Sequence, residues 1–236
     1  MTQRTISTAL RLLPAAVLLA GAVGSARADD AAPANELRVG LYFVHDEVKA
    51  NDLSGPFTPA GINIRVGDVT TPYIAYVRHL DANWSVELAG GVPPKVKTYG
   101  KGPASVGSVP FNGQEVATAK WFSPSLLLDY TFLDASFPVR PYVGVGVNYT
   151  RFYKLDSTPA GDAANGGPTS VRLSRSIGPA GTVGASWQIT REINVLASYS
   201  LARVNSNYRS DTAGVIRTTE IHFNPRAWII AAGYSF

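Results

Sequence analysis

Residues Arg140 to Tyr153 read Arg-Pro-Tyr-Val-Gly-Val-Gly-Val-Asn-Tyr-Thr-Arg-Phe-Tyr and alternate between two kinds of side chain. The valines fall on one side of an extended chain, because successive side chains of a β-strand point to opposite faces. Glycine weakens a strand, so Gly144 and Gly146 on the other side indicate that space beside the backbone is needed there. The stretch predicts a strand with one apolar face and one small, polar face, as in a wall between lipid and a hollow interior.

Other segments of the chain alternate in the same way. Together with the first they predict eight strands: residues 37–44, 70–78, 84–92, 116–132, 140–153, 171–189, 193–205 and 220–236. In the fourth strand, large apolar residues from Phe122 to Phe132 share one face, whereas Trp121, Ser125 and Asp129 share the other. A water-soluble barrel with aromatic residues in its core would need the other face of each strand to be polar and charged throughout, so we expect the large apolar residues to face lipid.

The connections between the predicted strands alternate in length. The short ones are 80–83, 133–138 and 190–192, and the long ones, rich in Gly, Pro, Asp and Ser, are 45–69, 93–115, 154–170 and 206–219. Outer-membrane barrels have short periplasmic turns and long extracellular loops. Residues 37–236 are therefore predicted to form an all-β fold, an eight-stranded antiparallel transmembrane β-barrel with both termini periplasmic. An aromatic girdle is expected near the short turns, formed by Trp84, Tyr130, Phe132, Trp187, Tyr234 and Phe236.

The first residues have the features of an export signal. Arg4 and Arg11 precede the apolar run 12–23, and small residues flank a cleavage point after Ala28. The run is too short for a spanning helix, which needs about 20 apolar residues. We therefore predict a signal peptide at residues 1–28, a periplasmic N-terminal arm at residues 29–36, and a location in the cell outer membrane of a Gram-negative bacterium.

Charge and cysteine content exclude some classes of protein. The whole chain has a net charge of +4, but removal of the signal peptide takes away three arginines and no acidic residue. The remaining chain is nearly neutral, so its charge gives no reason to expect binding to nucleic acid. The chain has no Cys, so disulfides cannot stabilise the exported protein, and its stability must come from a packed core or the bilayer.

Several stretches resemble the OmpW family of small outer-membrane proteins. They are residues 140–150, the ending Ala232-Gly233-Tyr234-Ser235-Phe236, Val86-Glu87-Leu88 followed by Pro93, and Ser123-Pro124-Ser125-Leu126. The resemblance implies an eight-stranded barrel with an apolar interior channel. That family, with its alkane-import relative AlkL, is associated with the uptake of small hydrophobic molecules, so the resemblance implies an outer-membrane channel for passive uptake. The first two long loops are larger and richer in Pro than expected of the shortest members.

The side chains predicted to face the lumen differ with depth. Toward the long loops lie Val44, Ile74, Trp121, Phe152 and Val204. Toward the short turns lie Arg38, Arg78, Glu87, Asp129 and Asn194. The second set pairs two cations with two anions, as expected because an unpaired charge in a narrow lumen is costly. We therefore predict an apolar vestibule for a small hydrophobic solute above a polar floor of ion pairs.

Four prolines lie inside the predicted strands or at their outer ends: Pro72, Pro124, Pro179 and Pro225. Proline lacks the N–H that a strand ladder needs, and a closed barrel has no edge strand on which to place it. Pro72, Pro124 and Pro225 are therefore candidates for a lateral opening, through which an apolar solute would leave the lumen for the bilayer. The alternative is that they mark solvated β-bulges near the rim.

Other functions fit the sequence less well than a channel. His45, His79 and His222 have no second His or Cys at metal-binding spacing, so no metal site is predicted. A barrel enzyme that deacylates lipid A would need a Ser–His pair near the outer rim, and neither His45 nor His222 has a convincing serine partner. No catalytic residue, cofactor or energy source is implied. The main alternative is a structural, adhesive or receptor-type barrel with a packed lumen and no transport.

The C-terminus and the predicted location indicate the partners of the chain. Phe236, with Tyr234 on the same face, resembles the C-terminal assembly signal of outer-membrane barrels. The expected partners are therefore the barrel assembly machinery, the lipid and lipopolysaccharide of the outer membrane, and a small hydrophobic solute.

Overall fold

The computed structural model describes residues 33–106 and 109–236. The predicted signal peptide, and the predicted arm as far as residue 32, lie outside the described residues. In the described part of the chain, no helix is long and apolar enough to cross a membrane.

The described residues form β-strands and one short helix. The strands are β1 (Asn35–Ala50), β2 (Asn63–Val66), β3 (Val69–His79), β4 (Trp84–Gly91), β5 (Lys95–Lys101), β6 (Ser105–Val106), β7 (Val109–Pro110), β8 (Glu115–Phe122), β9 (Ser125–Thr131), β10 (Val139–Ser157), β11 (Thr169–Leu173), β12 (Ser176–Gln188), β13 (Ile193–Ala202), β14 (Val204–Thr212) and β15 (Val215–Ser235). The helix α1 (Pro159–Asn165) begins after Thr158, whose hydroxyl accepts a hydrogen bond from the Gly161 N–H at 3.1 Å.

A ring of antiparallel strands forms the body of the molecule. In order around the ring the strands are β1, β3, β4, β9, β10, β12, β13 and β15, and β15 pairs again with β1. The closing pair runs from Glu36 opposite Ser235 to Ala50 opposite Ile221. The ring confirms the predicted eight-stranded antiparallel barrel, and β1 begins two residues before its predicted start.

Exposure alternates along the ring strands as the sequence predicts. Val143, Val145 and Val147 on β10 are 40%, 69% and 52% exposed, whereas Tyr142 and Asn148 on the same strand are buried. The outer surface of the barrel therefore carries the large apolar side chains. This surface suits lipid, which is as apolar as the side chains that meet it.

Aromatic side chains lie on the outer face near the short turns. The Trp84 and Tyr130 rings have centroids 4.9 Å apart, and those of Tyr130 and Phe132 are 5.0 Å apart, both edge to face. Tyr234 and Phe236 stack with centroids 6.3 Å apart at the end of β15. This arrangement matches the predicted girdle.

Five of the eight ring strands, β3, β4, β9, β12 and β13, end at a common level of the barrel. The breaks lie at residues 67–68, 92–94, 123–124, 174–175 and 203, whereas β1, β10 and β15 run through without interruption. Beyond this level the strands pair in two groups, β11-β14-β15-β1 and β10-β8-β5-β2. Within the described residues, no strand pairing joins β1 to β2 or β10 to β11.

The prediction of long irregular loops is wrong in part, because strands and α1 occupy much of residues 45–69, 93–115, 154–170 and 206–219. The segment 206–219, for example, is a β-hairpin of β14 and β15. Its buried positions on β14 include Ser206, Ser210 and Thr212. These small polar side chains hide the alternation of apolar and polar residues by which a half-buried strand is recognised.

Gly144 and Gly146 point inward but leave no empty space beside β10. A Cβ on Gly144 would collide with the carboxylate of Asp129, and one on Gly146 with the backbone carbonyl of Leu126. The space predicted beside this strand is therefore filled by the neighbouring strand β9. Glycine is needed here because the two strands approach closely.

Candidate functional site

A cavity of about 330 Å³ lies inside the barrel on the long-loop side of the strand breaks. Its wall contains a cluster of buried apolar side chains: Val66, Val96, Ala119, Val204, Ile221 and Phe223. The rings of Phe152 and Phe223 pack within this wall with centroids 5.2 Å apart. A concave apolar site of this size is typical of sites that bind small molecules.

The structure brings most of the predicted apolar lining residues together. Val44, Trp121, Phe152 and Val204 all line the cavity. The prediction for Ile74 is wrong, because this residue is 50% exposed on the outer surface of β3. Both faces of residues 70–78 carry large side chains, so alternation alone does not decide which face points inward.

Much of the lining comes from segments predicted as loops. Ile62, Phe111 and Leu155 line the cavity, as do Ile64 and Val66 on β2. These residues were missed because Pro- and Gly-rich flanks favoured an irregular loop. The signal that could have identified them is the alternation of apolar and polar residues over a few positions within these segments.

Charged side chains cross the lumen on the short-turn side of the cavity and form a polar floor. Arg38 Nε lies 2.7 Å from Glu36 Oε1, and Arg38 Nη1 lies 2.5 Å from Glu87 Oε2. The Tyr73 hydroxyl donates to Glu87 Oε1 at 2.8 Å, and the Arg38 guanidinium lies 5.8 Å from the centre of the Tyr142 ring. All five side chains are buried. The guanidinium thus joins strands β1, β4 and β10 across the lumen.

The membership of the floor differs from the predicted set. Arg78 is wrongly predicted to join it, because Arg78 is exposed and its Nη1 donates to Asn35 Oδ1 at 2.8 Å. The second carboxylate on Arg38 belongs to Glu36, the last residue of the predicted N-terminal arm. Asn194 Nδ2 donates to Glu36 Oε1 at 3.0 Å, and His79 Nε2 lies 3.0 Å from Glu36 Oε2.

Asp129 lies in the floor as predicted, but it forms no ion pair with another described residue. Its side chain is 2% exposed, and neither carboxylate oxygen has a hydrogen-bond partner in the described part of the chain. The residue sits beside Gly144, where a larger residue would collide with it. The floor therefore holds three buried carboxylates, those of Glu36, Glu87 and Asp129, against the guanidinium of Arg38.

One side of the barrel wall has an interrupted ladder beside the cavity. β4 pairs with β9 up to Ala89, and β5 pairs with β8 from Lys95, so residues 90–94 and 121–124 face each other without strand pairing. The prolines of these two segments are Pro93, Pro94 and Pro124. We call residues 90–94 and 121–124 the proline window.

Pro124 is held firmly on its other side, toward β10. Its carbonyl accepts hydrogen bonds from the Tyr149 N–H at 2.9 Å and from Asn148 Nδ2 at 3.1 Å. Asn148 Nδ2 also lies 3.0 Å from the Ser125 hydroxyl. The unpaired side of Pro124 is therefore the side that faces β4.

Each of the other candidate prolines, like Pro124, also lies beside at least one neighbouring strand that stays paired. Pro72 lies opposite Leu41 in the ladder of β1 and β3, and Pro225 lies in the ladder of β15 and β1. Pro179 accepts a hydrogen bond from the Arg203 N–H at 3.0 Å. Among the predicted lateral-opening residues, Pro124 has the longest unpaired segments beside it.

The histidines lie apart from the cavity wall. His45 Nδ1 lies 2.7 Å from Asp68 Oδ1, and His222 Nδ1 lies 2.9 Å from Asn205 Oδ1. In the described part of the chain, no group of three or more His, Cys, Asp and Glu side chains could hold a metal ion.

Comparison with known proteins matches the chain to one family and to several individual proteins. The model of the OmpW family matches residues 36–236. Outer membrane protein W of Salmonella typhimurium is 32% identical over 154 residues, which cover 65% of this chain and 67% of that protein. The dibenzothiophene metabolism operon protein PahQ of Pseudomonas aeruginosa is 30% identical over 118 residues, or 50% of this chain and 52% of that one.

The fold of a solved structure also matches. The crystal structure of the outer membrane protein OprG from Pseudomonas aeruginosa superposes with a TM-score of 0.77 at 21% sequence identity. The superposition covers 87% of this chain and 96% of that chain. At this level of identity the likeness concerns the fold.

Proposed function

The chain belongs to the OmpW family of outer-membrane proteins, and we propose that it is a channel for the passive uptake of small hydrophobic molecules. The solute enters the cavity from the long-loop end, which faces the outside in barrels of this kind. The name of the relative PahQ, which refers to the metabolism of an apolar aromatic compound, supports an apolar solute.

The observation that carries this proposal is the apolar cavity of about 330 Å³ at the long-loop end. Burial of apolar surface contributes about 25 cal/mol per Å² of area removed from water. A small apolar molecule therefore gains free energy when it moves from water into this cavity. The gain needs no cofactor or energy source, so net movement follows the concentration gradient.

The polar floor makes straight passage toward the short turns unfavourable. An apolar solute would have to displace the buried contacts of Arg38 with Glu36 and Glu87, and a buried charge that loses its partner is costly. We propose that the solute leaves sideways through the proline window into the bilayer. Trp121 and Ser123 of the window also line the cavity, so the exit lies next to the bound solute.

A variant that fills the cavity tests the proposal. Ala119→Trp places a large side chain at a buried position of the wall, and we expect it to reduce uptake of a hydrophobic dye into vesicles that contain the protein. Ala197→Trp is the matched control, because Ala197 is exposed on the outer face of β13. Equal uptake by the parent, both variants and protein-free vesicles would contradict the proposal.

The alternative is a structural or receptor-type barrel without transport. The buried contacts of Arg38 favour this alternative, since its two ion pairs and its contact with the Tyr142 ring cross the lumen and join three strands. A barrel of this type would give no dye uptake in the vesicle assay, although it would fold and insert normally.

A further inference from the structure

Arg217 is the charged residue in the wall of the apolar cavity. Within the described residues, every other side chain that lines the cavity is apolar or neutral. Arg217 lies near the start of β15, toward the long-loop end, and it is 8% exposed. A cation is thus buried at the outer end of a site that otherwise suits hydrocarbon.

Neutral groups from the loop after β1 and from α1 hold the guanidinium in place. Its Nε donates to the Thr58 hydroxyl at 3.1 Å, and its Nη1 donates to Asn165 Oδ1 at 3.3 Å. Asn165 at the end of α1 is itself oriented, because its Nδ2 donates to the Gly161 carbonyl at 2.7 Å. The loop after β1 is fixed beside Arg217 by a pair of backbone hydrogen bonds between Ser54 and Thr218, of 3.0 and 2.9 Å.

The guanidinium of Arg217 has no carboxylate within ion-pair distance among the described residues. Arg217 forms no ion pair with a described residue, and its two hydrogen bonds leave other N–H donors of the guanidinium without a protein acceptor in that part of the chain. Two acids on the segments that hold Arg217 are engaged elsewhere: Asp52, after β1, accepts from the Gly61 N–H, and Asp162, on α1, accepts from the Thr169 N–H. A buried, uncompensated charge is costly, and an anion bound beside it removes that cost.

We propose that Arg217 binds the carboxylate of an amphipathic solute whose apolar chain or ring lies in the cavity. This inference rests on the proposed function and names the class of solute: a small hydrophobic molecule that carries a carboxylate, rather than a pure hydrocarbon or an alcohol. The guanidinium suits this task, because its planar fork of N–H donors matches the two oxygens of a carboxylate. The apolar wall from Val96 to Phe223 supplies the rest of the binding free energy.

Fluorescence quenching can measure this selectivity directly. Trp84, Trp187 and Trp228 are exposed on the outer surface, so replacing them with Phe leaves Trp121 in the cavity wall as the single tryptophan. The protein is placed in phosphatidylcholine bilayers, in which no lipid has a net negative charge, at a pH of about 8.5, where a carboxylic acid is ionised and Arg217 is charged. Bromodecanoate and bromodecanol, which differ in the head group, are then compared as quenchers of Trp121, with correction for their partition into lipid.

We expect bromodecanoate to bind more tightly than bromodecanol by a factor of roughly ten or more, as is typical of a hydrogen-bonded charge pair. Arg217→Gln should remove the difference by weakening binding of the acid, and Arg217→Lys should keep part of it. Arg209→Gln is the matched control, because Arg209 is an exposed arginine of the same hairpin and its loss should change neither affinity.

The outcomes separate this inference from the proposed function. If both compounds quench Trp121 with equal affinity, or if the preference for the acid persists in Arg217→Gln, the role of Arg217 is wrong and the apolar uptake site stands. If neither compound quenches Trp121 in the folded protein, the apolar site itself fails, and the inference fails with it. Heat-dependent mobility on gels, which reports a folded barrel, verifies that each variant is compared in its native state.

Discussion

At the scale of single residues, Arg38 holds the floor of the lumen together. Its guanidinium contacts a carboxylate on its own strand, a second carboxylate on β4 and an aromatic ring on β10. A lysine ammonium could not reproduce this, because the guanidinium spreads its N–H donors over a planar fork. Replacement of Arg38 therefore affects both Glu36 and Glu87.

We expect Arg38→Met to lower the free energy of unfolding by about 3–5 kcal/mol, because two buried carboxylates lose a cationic partner. Urea unfolding from lipid vesicles, followed by tryptophan fluorescence, measures the change. Arg78→Met is the matched control: Arg78 lies on the outer face, so its loss should cost less than about 1 kcal/mol. Equal losses for the two variants would show that the floor pairs do not stabilise the barrel.

Replacement of Asp129 should not destabilise the barrel, in contrast to replacement of Arg38. Its buried carboxylate has no hydrogen-bond partner in the described part of the chain and shares the floor with Glu36 and Glu87. We expect Asp129→Asn, which keeps the shape and removes the charge, to leave the free energy of unfolding unchanged or to raise it by about 1 kcal/mol. Glu87→Gln, measured in the same way, should lower it, since Arg38 loses a partner; an equal loss for both variants would disprove this account of Asp129.

At the scale of strands, the barrel combines long continuous strands with broken ones. β1, β10 and β15 extend past the level of the breaks, and β3, β4, β9, β12 and β13 end at it. Prolines in the proline window remove N–H donors from both facing segments, so the ladder cannot close there without substitution. We therefore propose the window as the place where a small change in pairing opens the wall.

We expect Pro124→Val to reduce hydrophobic dye uptake several-fold, because valine supplies an N–H that can pair toward β4 and favours an extended strand. Binding in the cavity, read from quenching of Trp121, should not change. Pro72→Val serves as the control, since Pro72 lies in a continuous ladder with β1 and is exposed on the outer face. Unchanged uptake in Pro124→Val would rule out the proline window as the exit.

At the scale of the whole molecule, the two ends of the lumen differ in chemistry. The long-loop end holds the apolar cavity, and the short-turn end holds the ionic floor. Between them the lumen narrows to a space of about 30 Å³ beside Tyr73 and Glu87. An eight-stranded barrel has an interior that side chains can fill, so a narrow, polar closure at one end is compatible with a cavity at the other.

The closed floor predicts that the barrel conducts ions poorly. In planar bilayers we expect no steady conductance of the size seen for porins, because the roughly 16–18 strands of a porin enclose an open aqueous channel. A general porin under the same conditions is the positive control. Steady porin-like conductance would contradict a closed floor and would favour straight passage through the lumen.

The sequence predicted the barrel and its outer surface well, because alternation and lipid-facing apolar rows are properties of each strand. The valines of β10 and the aromatic girdle were placed correctly for this reason. The fold of the long-loop end was not predicted. Its strands carry small polar residues such as Ser206 and Ser210 on their inner face, and these do not alternate in hydrophobicity.

The lumen was predicted less completely than the wall. Ile74 and Arg78 were placed inside although they face outward, because β3 has large side chains on both faces. Glu36 was assigned to the arm, since nothing before Leu37 alternates. Arg217 was not identified at all, because it lies in a stretch that reads as a polar loop.

The sequence by itself determined that the chain forms a closed barrel with an apolar exterior, because the period of two is a property of the strand backbone and each strand carries it locally. Only the tertiary structure decided which groups meet inside. Segments distant in the chain meet at three places inside the barrel. Arg38 contacts Glu87, Asp129 occupies the space beside Gly144, and Arg217 is buried among neutral groups. Such contacts depend on the register between strands, and the register is set by the packing of the whole ring.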